Sequence, residues 1–153
     1  MRQKKQLAHR NIGLFYIISC IFFGWLQVPF ANSDVVIITN KSVTKERISK
    51  DKIRDVFLGK IVKWDDGSKI NIAVFDKQNE LHKEFVKEYT QKSTSQFEKW
   101  WRKMVFTGQG TMPKSFESDE AIIEYIKSTE GAVGYIEKDK STKDDIMVIV
   151  IEQ

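Results

Sequence analysis

Thr107-Gly108-Gln109-Gly110-Thr111 sets two hydroxyls and an amide among glycines, directly after an aromatic-rich stretch. Such groups suit hydrogen bonding to a polar ligand or a partner. Thr39 and Asn40 close an apolar run and Asn79 opens a helical pattern, two further kinds of place where α/β sheets put ligands. Thr39, Asn40, Asn79, Thr107, Gly108, Gly110 and Thr111 are therefore the candidate contact residues, and their chemistry is binding. Catalysis lacks its parts. The single cysteine, Cys20, lies in the N-terminal apolar run, and His82 stands in mid-helix beside Lys83 and Glu84, where a solvated position is expected. Asp65-Asp66 precede Gly67-Ser68 in a turn, where adjacent side chains diverge rather than form a dyad. No zinc-ligand spacing, P-loop, nucleophile elbow or Rossmann glycine pattern occurs, so neither an enzyme nor a cofactor or metal is expected.

The elements that must position these residues follow from periodicity. Phe97, Trp100, Trp101, Met104 and Val105 recur at i, i+3, i+4, i+7 and i+8, one face of a helix that should be buried. Ser93 and Gln96 form a capping-box signature at its start, and the glycines with Pro113 end it. Val35–Ile38 is β-branched without polar alternation, as in a central strand covered on both faces. Asn40–Lys50 is polar and turn-like. Ser49 caps a helix through Leu58 with Ile53, Val56 and Phe57 inward, and Gly59 stops it. Ile70–Phe75 predicts a second strand, and Asn79 opens a helix with Leu81, Phe85, Val86 and Tyr89 on one face. Ser118 caps a further helix with Asp119 and Glu120 in its first turn and Ile122, Tyr125 and Ile126 as its buried stripe; Gly131 is placed at its C′ position. Ala132–Ile136 and Ile146–Ile151 are the last strands, around a charged segment Glu137–Asp145. The order is βαβαααββ, an α/β layer fold.

Residues 1–33 read as a secretory leader. Arg2, Lys4, Lys5 and Arg10 precede the apolar run Ile12–Phe30, and Ala31-Asn32-Ser33 suits a cut before Asp34. An uncleaved anchor is the alternative, since the run approaches the roughly 20 residues that span a bilayer. Ile17-Ile18-Ser19-Cys20 has lipobox residue types, but the chain stays apolar past Cys20, unlike a lipidated terminus. Membrane contact is expected only through this leader, and the location is periplasmic or secreted. Four of the 25 basic residues lie in the leader while all 21 acids follow it, so Asp34–Gln153 is close to neutral. The basic excess thus gives no support to a nucleic-acid surface. Without a cysteine after the leader, stability must come from a packed core in one domain.

Taken together, Ile53-Arg54-Asp55-Val56-Phe57-Leu58-Gly59-Lys60 with Trp64 and Gly67, then Phe85, then Trp101 with Phe106–Gly110 and Pro113, and finally Gly131-Ala132-Val133-Gly134-Tyr135 resemble one family. It is the phosphate-binding-protein branch of the periplasmic solute-binding superfamily, in its short, single-lobe form. The resemblance runs over nearly all of Val35–Ile136 and implies one lobe of a type II periplasmic-binding-protein-like fold. It also implies inorganic phosphate or a related oxyanion as ligand, on behalf of an ABC transporter. In full-length members a Ser-Gly-Thr run opens the helix corresponding to Asn79–Tyr89, with an arginine upstream, so that backbone N–H groups hold the anion. Here those places read Asn79-Glu80-Leu81, with Lys77 upstream. Glu80 either complements the helix dipole or opposes an anion, by roughly 1–4 kcal/mol at about 4 Å. A single lobe offers one wall, so a tight site needs a dimer mate or an envelope protein. The alternative is a protein-interaction module of the cell envelope without a tight small-molecule ligand.

Overall fold

The computed structural model describes residues 35–44, 47–141 and 146–152. The leader expected at 1–33, its cut before Asp34 and Cys20 lie outside these residues, as do 142–145 of the charged segment. Six strands form one sheet in the order β2-β6-β1-β5-β3-β4. They are β1 (Val35–Asn40), β2 (Arg47–Ser49), β3 (Asn71–Phe75), β4 (Lys114–Phe116), β5 (Ala132–Glu137) and β6 (Ile146–Glu152). Four helices join them: α1 (Lys50–Phe57), α2 (Glu80–Thr90), α3 (Thr94–Phe106) and α4 (Asp119–Ser128), and a short 3₁₀ turn covers Lys138–Lys140. No helix of the described residues is long and apolar enough to cross a membrane.

The apolar run of β1 lies inside the sheet, hydrogen-bonded antiparallel to β5 on one side and β6 on the other. Ile37, Ile38 and Thr39 are fully buried there, as a strand covered on both faces requires. β3 runs parallel to β5 and β4, and is therefore antiparallel to β1. Adjacent residues of β5 show the two layers, because side chains alternate across a strand. A Cβ on Gly134 would stand 3.2 Å from Ile122 of α4, whereas Tyr135 packs against Phe85 of α2 and Phe57 of α1 on the other face. The Phe85 and Tyr135 rings stack at 3.7 Å and 7°, and Phe57 meets Phe85 edge-on at 4.7 Å. This aromatic cluster is the centre of the core.

The expected helix starts hold. Ser49, Asn79, Ser93 and Ser118 each accept a backbone N–H with their side chains, and Ser93 with Gln96 completes the capping box. Two edge strands were not expected. β2 falls in the stretch read as turn-like and β4 follows Pro113; each has three residues, too few to show a period, and each pairs with a strand distant in sequence. Gly131 is not the C′ residue of α4. That helix ends at Ser128 with Thr129 extended, and Gly131 instead serves a loop crossing, where a Cβ would come 2.2 Å from the Lys69 carbonyl oxygen. Tyr125 is half-buried rather than fully inside, against Phe116.

Candidate functional site

The aromatic face of α3 is tied to the end of α1. Trp101 is buried and its Nε1–H donates to the Phe57 carbonyl at 3.1 Å; the Nε1–H of half-buried Trp100 donates to the Leu58 carbonyl at 2.9 Å. Two carbonyls left without helical partners at the end of α1 are thus satisfied by indoles. Phe97 is buried and Met104 half-buried, but the apolar face does not stay covered to its end: Val105 is 44% exposed and Phe106 93%. The expectation that Val105 lies inside is corrected: the stripe is buried at Phe97 and Trp101, half-buried at Met104 and open from Val105 on.

From there the glycine loop crosses Trp101. A Cβ on Gly110 would stand 3.1 Å from the indole, and Met112 and Pro113 lead into β4. Two clefts share Trp101, Met112 and Pro113. The smaller, about 420 Å³, opens where β3 and β4 end and α2 begins, with Lys77, His82, Glu98, Arg102 and Ser115 in its wall. The larger, about 580 Å³, lies toward Lys63, Lys69 and Lys114.

His82 corrects the expectation of a solvated helix residue. It is 3% exposed, and its Nδ1 lies 2.5 Å from the Tyr135 hydroxyl. That hydroxyl accepts the Phe75 N–H at 3.4 Å, so its own O–H is free to donate a hydrogen bond to Nδ1. His82 is then the tautomer with hydrogen on Nε2. Burial holds the imidazole neutral and pushes its pKa down to about 4, against the opposing pull of the Glu98 and Asp76 charges. Burial likewise pushes the Tyr135 phenol far above its ordinary value. The sequence carried a signal for this. His82 stands at i to Phe85, Val86 and Tyr89 at i+3, i+4 and i+7, on the inward stripe of α2.

Around His82 the charges are partly matched. Glu98 lies 3.9 Å from the Lys77 ammonium and 3.6 Å from the Arg102 guanidinium. The Ser115 hydroxyl donates to Asp76. Glu80 is 80% exposed and binds Lys83 at 2.6 Å along the helix surface, and it is not in the cleft wall. Asn79 caps α2 by accepting the His82 N–H at 3.1 Å. Among the described residues no group of His, Cys, Asp and Glu could hold a metal ion.

The candidate contact residues fall in separate places. Asn40 donates through Nδ2 to the Ile126 and Lys127 carbonyls at 2.7 and 3.0 Å, closing the end of α4. Thr39 is fully buried, and its hydroxyl has no partner among the described residues. Thr39 pairs with Val133, which pairs with Ile72 near the start of β3, whereas Asn79 follows the end of β3. Antiparallel β1 therefore puts Thr39 and Asn40 at the opposite end of the sheet from Asn79. Thr107 caps α3, its hydroxyl donating to the Lys103 and Met104 carbonyls at 2.9 and 3.2 Å. Gly108 turns the chain with φ +68°. Gly110 and Thr111 line the larger cleft. His82, Arg102 and Ser115 join Lys77 in the smaller one, because α2, α3 and β4 converge there.

A family model described as a PBP superfamily domain matches residues 13–148. No curated protein matches the sequence. Among solved structures, a Clostridium perfringens protein described as a phosphate ABC transporter substrate-binding protein, with bound phosphate, superposes with a TM-score of 0.61 at 16% identity. The match covers 76% of this chain and 44% of that one. PstS from Borrelia burgdorferi gives 0.56 at 13% identity, over 78% and 47% of the two chains. An ABC-type phosphate transport receptor from Vibrio cholerae gives 0.53 at 13%, over 78% and 46%. The chain thus spans less than half the length of these structures, and the likeness is one of fold.

Proposed function

From the premise that this chain belongs to the PBP superfamily and has the fold of roughly one lobe of its phosphate-binding structures, we propose that it is a non-catalytic binding lobe. Its ligand class is a phosphate-like oxyanion, held at the smaller cleft. The observation that carries this is the convergence of the Lys77, His82 and Arg102 side chains in one cleft wall beside the first turn of α2. The helix is 11 residues long and its N-terminal dipole favours an anion. Lys77, Arg102 and His82 face the same cleft. In the Clostridium perfringens structure the bound ligand is phosphate. Glu98 and Asp76 compete with an anion for these donors, and one lobe leaves it open to water, so affinity is weak until a second wall is present. A second copy or an envelope protein supplies that wall after export through the leader, and service to an ABC transporter is part of the same proposal.

Calorimetric titration of the full chain with phosphate and sulfate, with its solution mass measured alongside, tests this. Saturable heat is expected, lost in Arg102→Ala and strengthened about threefold to tenfold in Glu98→Gln, the removal of a like-charge contact worth roughly 1 kcal/mol. Absence of heat at any reachable phosphate concentration, or heat indifferent to both variants, overturns it.

A further inference from the structure

We propose that the larger cleft is a docking site for an extended, acidic segment of a partner protein, a function separate from the oxyanion site. Its wall carries Lys63, Lys69 and Lys114 and no carboxylate. None of these lysines forms an ion pair among the described residues, a state they share with exposed lysines such as Lys87 and Lys99; what sets them apart is that the three stand on one wall without a carboxylate. The unpaired charge is held in place by the fold. Lys63 and Lys69 are bridged antiparallel partners, steadied by the Ile70 N–H to Val62 carbonyl bond at 3.0 Å and the Trp64 N–H to Ser68 carbonyl bond at 2.9 Å. Like charges directly opposite in an antiparallel pair repel and destabilise it, so an anionic occupant relieves a cost that the free protein carries. Lys114 stands over the Tyr125 ring at 4.7 Å and the Phe116 ring at 5.5 Å, which fixes a third cation on the same wall.

The occupant must also be partly apolar and extended. Val62 is 51% exposed and Met112 47%, and both line the cleft together with Trp101; such side chains are contact surface for branched or aromatic groups. Beside them β4 is the last strand of the sheet, with one backbone edge unpaired. An extended segment can hydrogen-bond to such an edge and place alternate side chains into the cleft. A small inorganic anion uses the lysines but neither the apolar floor nor the strand edge. Nucleic acid needs a longer basic track than three lysines supply.

The full chain, kept in mild detergent, is titrated against a fluorescein-labelled peptide of alternating glutamate and phenylalanine and followed by fluorescence anisotropy. Saturable binding is expected, at least about tenfold weaker in the Lys63→Gln/Lys69→Gln double variant and weaker again at high salt. The distant pair Lys87→Gln/Lys99→Gln, which removes the same charge, should leave it unchanged. The double variant should also melt at a higher temperature than the parent, since it removes the opposed charges without touching the core. Equal binding of the matching lysine–phenylalanine peptide, unchanged affinity in the double variant, or a lowered melting temperature overturns the proposal. Phosphate heat that disappears in the double variant also overturns it and assigns the lysines to small anions. Phosphate heat that persists there while the peptide fails to bind rejects the docking site and leaves the oxyanion site standing.

Discussion

His82 joins two roles in one ring. Nδ1 accepts a hydrogen bond from the Tyr135 hydroxyl in the core, and the same ring lines the smaller cleft. Because burial holds its pKa near 4 in the folded chain, against about 6.5 when unfolded, the unfolded chain binds more protons between those values. Stability is then fully present above pH 6.5 and is lost as pH falls toward 4, by up to roughly 3 kcal/mol from this residue. The carboxylates whose values are lowered, Asp55 through Lys60, Asp66 through Ser68 and Glu120 through its own backbone N–H, begin to matter only below about pH 5. Urea melts at pH 7 and pH 5 isolate the histidine: the parent should lose stability between them, and His82→Gln should lose much less. Equal losses would mean that another group carries the slope. Asn40 shows the converse at this scale. Its amide is committed to the end of α4 and to the Ser42 N–H, so a residue of contact type serves as a structural clamp.

At the scale of elements, α1 and α3 meet through Gly59. It follows the C-cap residue Leu58 with φ +68°, and a Cβ there would lie 2.5 Å from Cη2 of Trp101. Both the backbone angle and the ring exclude a side chain. Gly59→Ala should therefore destabilise by roughly 2–4 kcal/mol, combining a left-handed backbone cost with overpacking. It should also loosen the glycine loop that rests on the same indole. A drop below about 1 kcal/mol in chemical denaturation would show that Trp101 can shift without cost. The same contact explains the arrangement of the site. Trp101 lines both clefts, and Met112 and Pro113, the end of the loop, stand between them.

For the whole molecule, the sheet order sets a gradient of stability. β1 and β5 are interior strands with fully buried residues, while β2 and β4 are three-residue edges. Hydrogen exchange should be slowest for the amides of Ile37, Ile38, Val133 and Tyr135 and fast for Ser115 and Phe116, since edges open without the core. Protection of β4 equal to that of β1 would show that its outer edge is already covered by another chain. Such cover would agree with a lobe that completes its sites only in company.

The sequence alone determined the caps, the long helices and strands, the α/β class and the family, because these depend on residues within a turn or two of each other and on local periodicity. The capping box of Ser93 and Gln96 spans three residues, and the run of β1 needs no partner to declare itself buried. Only the tertiary structure decided the sites. Tyr135 reaches His82 across 53 residues, β1 runs against β3 and so parts Thr39 and Asn40 from Asn79, and the hairpin sets Lys63 opposite Lys69. Each is a matter of strand direction and chain crossing. These are set by the packing of distant segments around one core, which local patterns of residue type do not encode.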